Sequence, residues 1–267
     1  MALLSPELLQ RVRRLPVLRP LLERRYERFF RRAENVHVFR GVYGSFAEAL
    51  RSAPPTKGLG YDEEAPAAMY RDRLDSLGEN DYPAVYWLSR ILRPGMRVFD
   101  LGGHVGIKYY AFRRYLAGVE GVRWTVSDVP AVVRAGEELA GDRGETLLDF
   151  TTDFAAAEGA DVLFCSGSLQ YVETPLSGLL GPLRKKPEHV LLNTTALHDG
   201  PTFFTLNNIG VAYCPYRIGN RAELVAELRA LRYELMDVWS CPGKDLTIPF
   251  HPERSLSRYA GMYLRRA

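Results

Sequence analysis

The chain has 267 residues, 46% hydrophobic and 25% charged, close to the average of soluble globular proteins, which argues against disorder, collagen and coiled coil. At roughly 150 residues per domain this is one large domain, or a catalytic domain with a small companion. Formal charge is only +3, from 35 Lys+Arg against 32 Asp+Glu, and thirty of the cations are arginine, so composition makes a weak case for a nucleic-acid partner, and none is expected.

No run approaches the roughly 18 apolar residues that span a bilayer, so no integral membrane segment is expected. The opening Met1-Ala2-Leu3-Leu4-Ser5-Pro6-Glu7 has neither a basic n-region nor a long apolar h-region, which favours a cytoplasmic address. Cys165, Cys214 and Cys241 show no Cys-x-x-Cys spacing. They read as free thiols, with no disulfide framework and no metal site.

Residues 1–40 hold ten arginines and four glutamates. Leu8, Leu9, Val12, Leu15, Leu18, Leu21, Leu22, Tyr26, Phe29 and Phe30 recur at helical spacing, interrupted by Pro16 and Pro20, which predicts short amphipathic helices. Two readings stand for 1–35: contact with an anionic membrane surface or a partner, or ordinary packing on the chain's own domain. From 36 to 62, glycines and aromatics alternate with Pro54-Pro55 and read as turns and loop anchors. Residues 63–92 turn helical, with Met69, Leu74 and Leu77 and then Val85, Tyr86, Leu88, Ile91 and Leu92, until Pro94-Gly95 stops the helix. Residues 1–84 are thus expected to form a helical cap over a catalytic domain spanning 85–267, with Arg40, Tyr43 and Tyr61 turned to an anionic or sugar-like acceptor.

Beyond 95, apolar β-rich runs are predicted at 97–101, 122–127, 146–150, 161–166, 189–195, 232–240 and 259–264. Helical segments such as 109–116 and 131–139 separate the first five. This alternation predicts an α/β fold with a mostly parallel sheet covered on both faces. The last two strands differ: a helix at 222–231 precedes the first, and only a loop of about twenty residues links it to the second.

The informative stretch is Val98-Phe99-Asp100-Leu101-Gly102-Gly103-His104-Val105-Gly106, a strand entering a glycine turn. In an open α/β sheet, ligands bind at the carboxyl ends of the strands near a switch in strand order. Two cofactor classes compete. A dinucleotide fingerprint needs Gly-x-Gly-x-x-Gly to hold a pyrophosphate, whereas this turn reads Gly-Gly-x-x-Gly with Asp100 two positions before it. A carboxylate there repels a diphosphate and suits a ligand bearing an ammonium and a sulfonium, which is S-adenosylmethionine (SAM). Asp128, ending the next strand, is placed for ribose hydroxyls or for capping the following helix. Asp153 and Phe154 are placed for an adenine amino group and ring, or for a plain turn.

Asp100-Leu101-Gly102-Gly103-His104-Val105-Gly106, Ser127-Asp128-Val129-Pro130, Asp153-Phe154 and 161–172 in this order resemble the successive motifs of class I SAM-dependent methyltransferases. The resemblance covers about residues 85–267. Pieces at 39–46, Gly60-Tyr61 and 214–217 resemble a bacterial family of methyltransferases found with polysaccharide or natural-product genes. The resemblance implies a Rossmann-like seven-stranded sheet with an antiparallel last strand. It also implies that Asp100, Gly102, Gly103 and Gly106 meet the methionine end of SAM, Asp128 the ribose, Asp153 and Phe154 the adenine, with Ser166 beside the cofactor. Gln170 stands where many relatives carry His.

The acceptor is expected to be a small molecule methylated on oxygen, with nitrogen or carbon as alternatives. Its site is expected among Tyr109, Tyr171, Phe204, Asn207 and Tyr213, since apolar pockets with a few polar groups hold such ligands. His198, beside Asp199, is the first candidate base and His104 the second. An NAD(P)-dependent oxidoreductase and a non-catalytic SAM-binding regulator are the competing readings, and a homodimer is left open.

Overall fold

A computed structural model of the chain describes residues 19–34, 37–62, 74–116 and 118–267; the predicted helices before residue 19 and the Met69 part of the 63–92 segment lie outside them. In chain order the described residues form α1 (Arg19–Arg32), β1 (Val38–Tyr43), α2 (Phe46–Arg51), β2 (Gly58–Leu59), α3 (Tyr82–Ile91), β3 (Arg97–Leu101), α4 (Ile107–Phe112) and β4 (Arg123–Ser127). There follow α5 (Pro130–Asp142), β5 (Leu148–Thr151), β6 (Val162–Ser166), α6 (Leu176–Leu180), β7 (His189–Thr195), β8 (Leu197–His198), β9 (Phe203–Asn208), β10 (Ala212–Asn220), α7 (Arg221–Ala230), β11 (Tyr233–Cys241) and β12 (Tyr259–Arg266). No described helix is long and apolar enough to cross a membrane.

Seven strands make one sheet in the order β11-β12-β7-β6-β3-β4-β5. The five from β7 to β5 run parallel, and β12 lies antiparallel between β7 and β11. Alternate residues of each strand feed opposite faces, as a pleated strand requires. Val98, Val126 and Phe164 pack on one face with α3 and α4, whereas Phe99, Leu163 and Leu180 pack on the other with α6 and α7. The chain runs β3 to β4 to β5 outward, then returns to place β6 on the far side of β3. The switch point therefore lies between the carboxyl ends of β3 and β6, where the glycine turn follows β3.

A second sheet, in the order β1-β9-β10-β2 with β8 attached to β10, was not expected. Residues 37–62 supply β1 and β2 as well as α2, where only turns and loop anchors were predicted, and the stretch expected to meet the acceptor forms the β9–β10 hairpin, Phe203–Asn208 with Ala212–Asn220. The β1–β9 ladder crosses the expected boundary at residue 84, pairing Val38 with Asn208 and Phe39 with Asn207. Helix α1 packs on this sheet through Phe30, which stacks on Tyr213 at 5.2 Å, while Leu21 and Phe29 stay exposed. All three cysteines are buried and free.

Candidate functional site

At the carboxyl ends of β3, β4 and β6 opens a cleft of about 1200 Å³, larger than the roughly 300–1000 Å³ typical of a single small-ligand pocket. Its floor is the turn after β3. Gly102 has φ +69°, and its amide donates to Ser127 O at 2.7 Å, tying the turn to β4. A Cβ there would stand 2.3 Å from Ser168 Cβ, in the loop after β6. At Gly103 a Cβ would meet Asp100 Oδ2 at 2.5 Å. Both side chains must be missing for the backbone and the acid to share this space.

Asp100 is 1% exposed and accepts from Trp124 Nε1 at 3.0 Å. Burial pushes its carboxyl up to about 7, against the Trp124 bond and the Lys108 charge, which lower it. Asp128, at the end of β4, accepts from His104 N at 2.9 Å and from Val129 N at 2.8 Å. Burial raises it to about 6, with both backbone bonds opposing. Each oxygen retains a lone pair for a hydroxyl donor. His104, buried and with φ +56°, carries its imidazole into the cleft wall. Phe154 lines the cleft and meets Phe99 edge-on at 5.3 Å. Ser166 lines it too, and accepts from Asn193 Nδ2 at 3.3 Å.

The cleft thus gathers Asp100, Gly102, Gly103, His104, Asp128, Phe154, Ser166 and Tyr171. Other expected residues fall elsewhere. Gly106 starts α4 with φ +86°, and a Cβ on it would meet Leu148, so it serves packing behind the turn. Asp153 caps the 3-10 turn Phe154–Ala157 by accepting from Ala155 N at 2.8 Å. His198 bonds Pro201 O at 2.9 Å and packs edge-on to Phe203, away from the cleft lining. Its short β8 pairing with β10 holds it there. Tyr109 donates to Glu145 at 2.8 Å, and Tyr213 is sealed between Phe30 and Thr56. Phe204 packs on Phe46 and under Arg217. Asn207, wholly buried, donates to Tyr171 Oη at 2.9 Å and so positions a cleft residue without entering the cleft. Arg40 pairs with Glu27 at 2.7 Å instead of facing an acceptor.

Phe39, Tyr259 and His37 were not assigned to the site, whereas Tyr216 belongs to the stretch 198–216 expected near the acceptor. Phe39 and Tyr216 enter from the second sheet, Tyr259 from β12, and His37 from the segment before β1 with φ +65°. The mouth carries Lys108, bonded to buried Asp81 at 2.7 Å. Above the cleft, Tyr61 meets Tyr171 at 5.2 Å, and the neighbouring Asp62 accepts from Ala131 N at 2.8 Å at the start of α5.

No protein-family model matches the sequence, and no curated protein matches it. In structure the chain is similar to OxaC, with TM-score 0.51 and 14% identity over 78% of this chain and 52% of that one. OxaC in complex with SAH and oxaline matches with TM-score 0.50 and 14% identity, over 76% and 50%. The CcbJ methyltransferase from Streptomyces caelestis matches with TM-score 0.48 and 17% identity, over 72% and 98%. The chain therefore spans about half the length of OxaC. Its mostly parallel sheet, with the antiparallel strand set second from one edge and the glycine turn at the switch point, is a Rossmann-like fold.

Proposed function

We propose that the protein is a SAM-dependent methyltransferase acting on a small molecule, with oxygen the favoured acceptor atom. The observation that carries the reading is the buried Asp100 carboxyl lodged in the space left by Gly103, at the switch point of the sheet. A ligand cation is the natural complement of a carboxyl that desolvation holds near 7, because the cation restores the ionised form. The residues fit SAM: Asp100, Gly102 and Gly103 would hold the methionine end, Asp128 the ribose hydroxyls, and Phe154 the adenine face, with Ser166 at the cofactor edge.

When bound, SAM supplies a methyl group already activated by its sulfonium. The chain's own task is then alignment and exclusion of water. The turn fixes the donor end, and the half-buried Tyr61 and Tyr171 close the other half of the cleft. His104 is the imidazole placed to take a proton near the turn. His198 lies outside the cleft lining and is assigned no part in the reaction.

An NAD(P) oxidoreductase fares worse, since the Asp100 carboxyl borders the turn that would receive a pyrophosphate and that turn lacks the Gly-x-Gly-x-x-Gly spacing. A SAM-binding regulator has no use for a cleft larger than one ligand. Calorimetry with SAM, SAH and NAD tests the donor. Submicromolar to micromolar binding of the first two and none of NAD is expected, and tighter binding of NAD would overturn the reading. Release of SAH in the presence of an acceptor then separates enzyme from regulator.

A further inference from the structure

We infer that the acceptor half of the cleft is built to take a planar, conjugated ring; this rests on the methyl-transfer reading and names its acceptor class. Five elements far apart in sequence deliver rings to one wall of the cleft: Phe39, Tyr61, Tyr171, Tyr216 and Tyr259. The rings meet edge to face. Tyr61 and Tyr171 stand 5.2 Å apart at 78°, Tyr171 and Tyr216 4.9 Å at 89°, and Phe39 and Tyr216 5.1 Å at 71°. Phe39, Tyr216 and Tyr259 are buried as a second layer, while the half-buried Tyr61 and Tyr171 form the inner surface. His37 stacks on Phe39 at 6.4 Å and carries the wall to the rim.

The polar tips of this wall are turned to one another. Tyr216 and Tyr259 share a hydrogen bond of 2.7 Å between their hydroxyls, and Tyr171 Oη accepts from Asn207 at 2.9 Å. Burial holds the Tyr171 and Tyr216 phenols well above their ordinary range, so they stay neutral. Besides Asp100 and Asp128, the acids lining the cleft are Asp81, matched by Lys108, and Asp245, whose sequence neighbour Lys244 lines it too. What faces an acceptor is therefore ring carbon without net charge. A sugar would leave its hydroxyls unpaired against these rings, and an aliphatic amine would have to turn from them to Asp245 in the cleft lining. A flat ring continues the edge-to-face series at the same spacing, each such contact worth roughly two- to tenfold in affinity.

The experiment is a calorimetric titration of the full chain saturated with SAH, using catechol, 8-hydroxyquinoline, methyl β-glucoside and dimethylethanolamine as probes. The two ring compounds are expected to bind at least tenfold tighter than the other two. Tyr171→Leu should weaken them about tenfold, Tyr171→Phe no more than about threefold, and SAH binding by each variant reports folding. Should Tyr171→Leu fail to bind SAH, Tyr61→Leu takes its place with the same expected loss. Equal or tighter binding of the glucoside or the amine, or ring binding indifferent to both leucine variants, overturns the inference. If the wild-type chain binds no SAH, the methyl-transfer reading falls, and the same four titrations on the unsaturated protein still decide whether the wall prefers a ring.

Discussion

Asp100 holds a carboxyl at 1% exposure with one indole N–H to satisfy it, and this tension can be measured. Its folded-state value of about 7 lies above the ordinary 3.8. Below about pH 4 the group is protonated in both folded and unfolded chains and costs nothing. As pH rises from about 4 to about 7 the unfolded chain gives up this proton while the folded chain keeps it, so stability falls across that window and levels off above it. The full shift corresponds to about 4 kcal/mol as an upper bound. Asp100→Asn keeps an acceptor for Trp124 and removes the charge. Ligand-free Asp100→Asn is therefore expected to melt above the wild type at pH 8 and level with it near pH 4, while losing at least tenfold in SAM affinity; an unchanged affinity would detach the acid from the cofactor. Gly103→Ala acts on the same space from the other side, placing a methyl 2.5 Å from Asp100 Oδ2, and should lower SAM affinity without a comparable gain in stability. His198→Ala should leave SAH release unaltered, because the ring is committed to Pro201 O beyond the cleft lining. A tenfold drop in turnover would restore it as a base.

Strands β3 and β7 form at the very residues predicted, Arg97–Leu101 and His189–Thr195, because each carries a short run of β-prone apolar residues, Val98-Phe99 and Val190-Leu191-Leu192, bounded by turn residues. The glycine turn and Asp128 were readable for a similar reason, since a short motif next to a strand end carries its own geometry. The second sheet was not readable. Strand β9 buries Asn207 and Asn208 completely, and two adjacent amides look like loop chemistry until their partners are known. Those partners lie at the far end of the chain: Asn208 Nδ2 donates to Phe30 O at 2.6 Å and Ala33 O at 3.0 Å, closing the end of α1. Its Oδ1 accepts from Gly210 N at 2.8 Å and Lys57 Nζ at 3.2 Å. The same distance in sequence hid Phe39 and Tyr259 from the acceptor wall, whereas Tyr61 was expected at the acceptor. Asn208→Ala takes this partner from Phe30 O and Gly210 N, while Lys57 Nζ keeps Ala33 O and Gly210 O, and is expected to cost about 3 kcal/mol. Amide hydrogen exchange in α1 should rise roughly 100-fold with it, and exchange in α1 no faster than in wild type would show that the helix is held by its Phe30 packing alone.

Residues 58–62 join the two halves of the cleft into one mechanical unit. Gly58 and Leu59 pair with β10, and Gly60 N donates to Tyr213 O at 2.9 Å, so the segment is anchored in the second sheet. One step on, Tyr61 rests on Tyr171 in the ring wall, and Asp62 caps Ala131 N, three residues past the ribose candidate Asp128. A ligand that orders 127–130 should therefore slow exchange across 58–62 as well, although no expected cofactor contact comes from that segment. Asp62→Ala removes the cap, worth about 1 kcal/mol, or a melting shift of roughly 2 °C in a chain of this size. Wild-type protein titrated with SAH is expected to gain protection both at 127–131 and at 58–62, whereas Asp62→Ala should keep the first and lose the second, with weaker retention of ring-shaped acceptors. Protection confined to 127–131 in the wild type would mean that the cofactor half closes by itself and that the segment above it only roofs the acceptor.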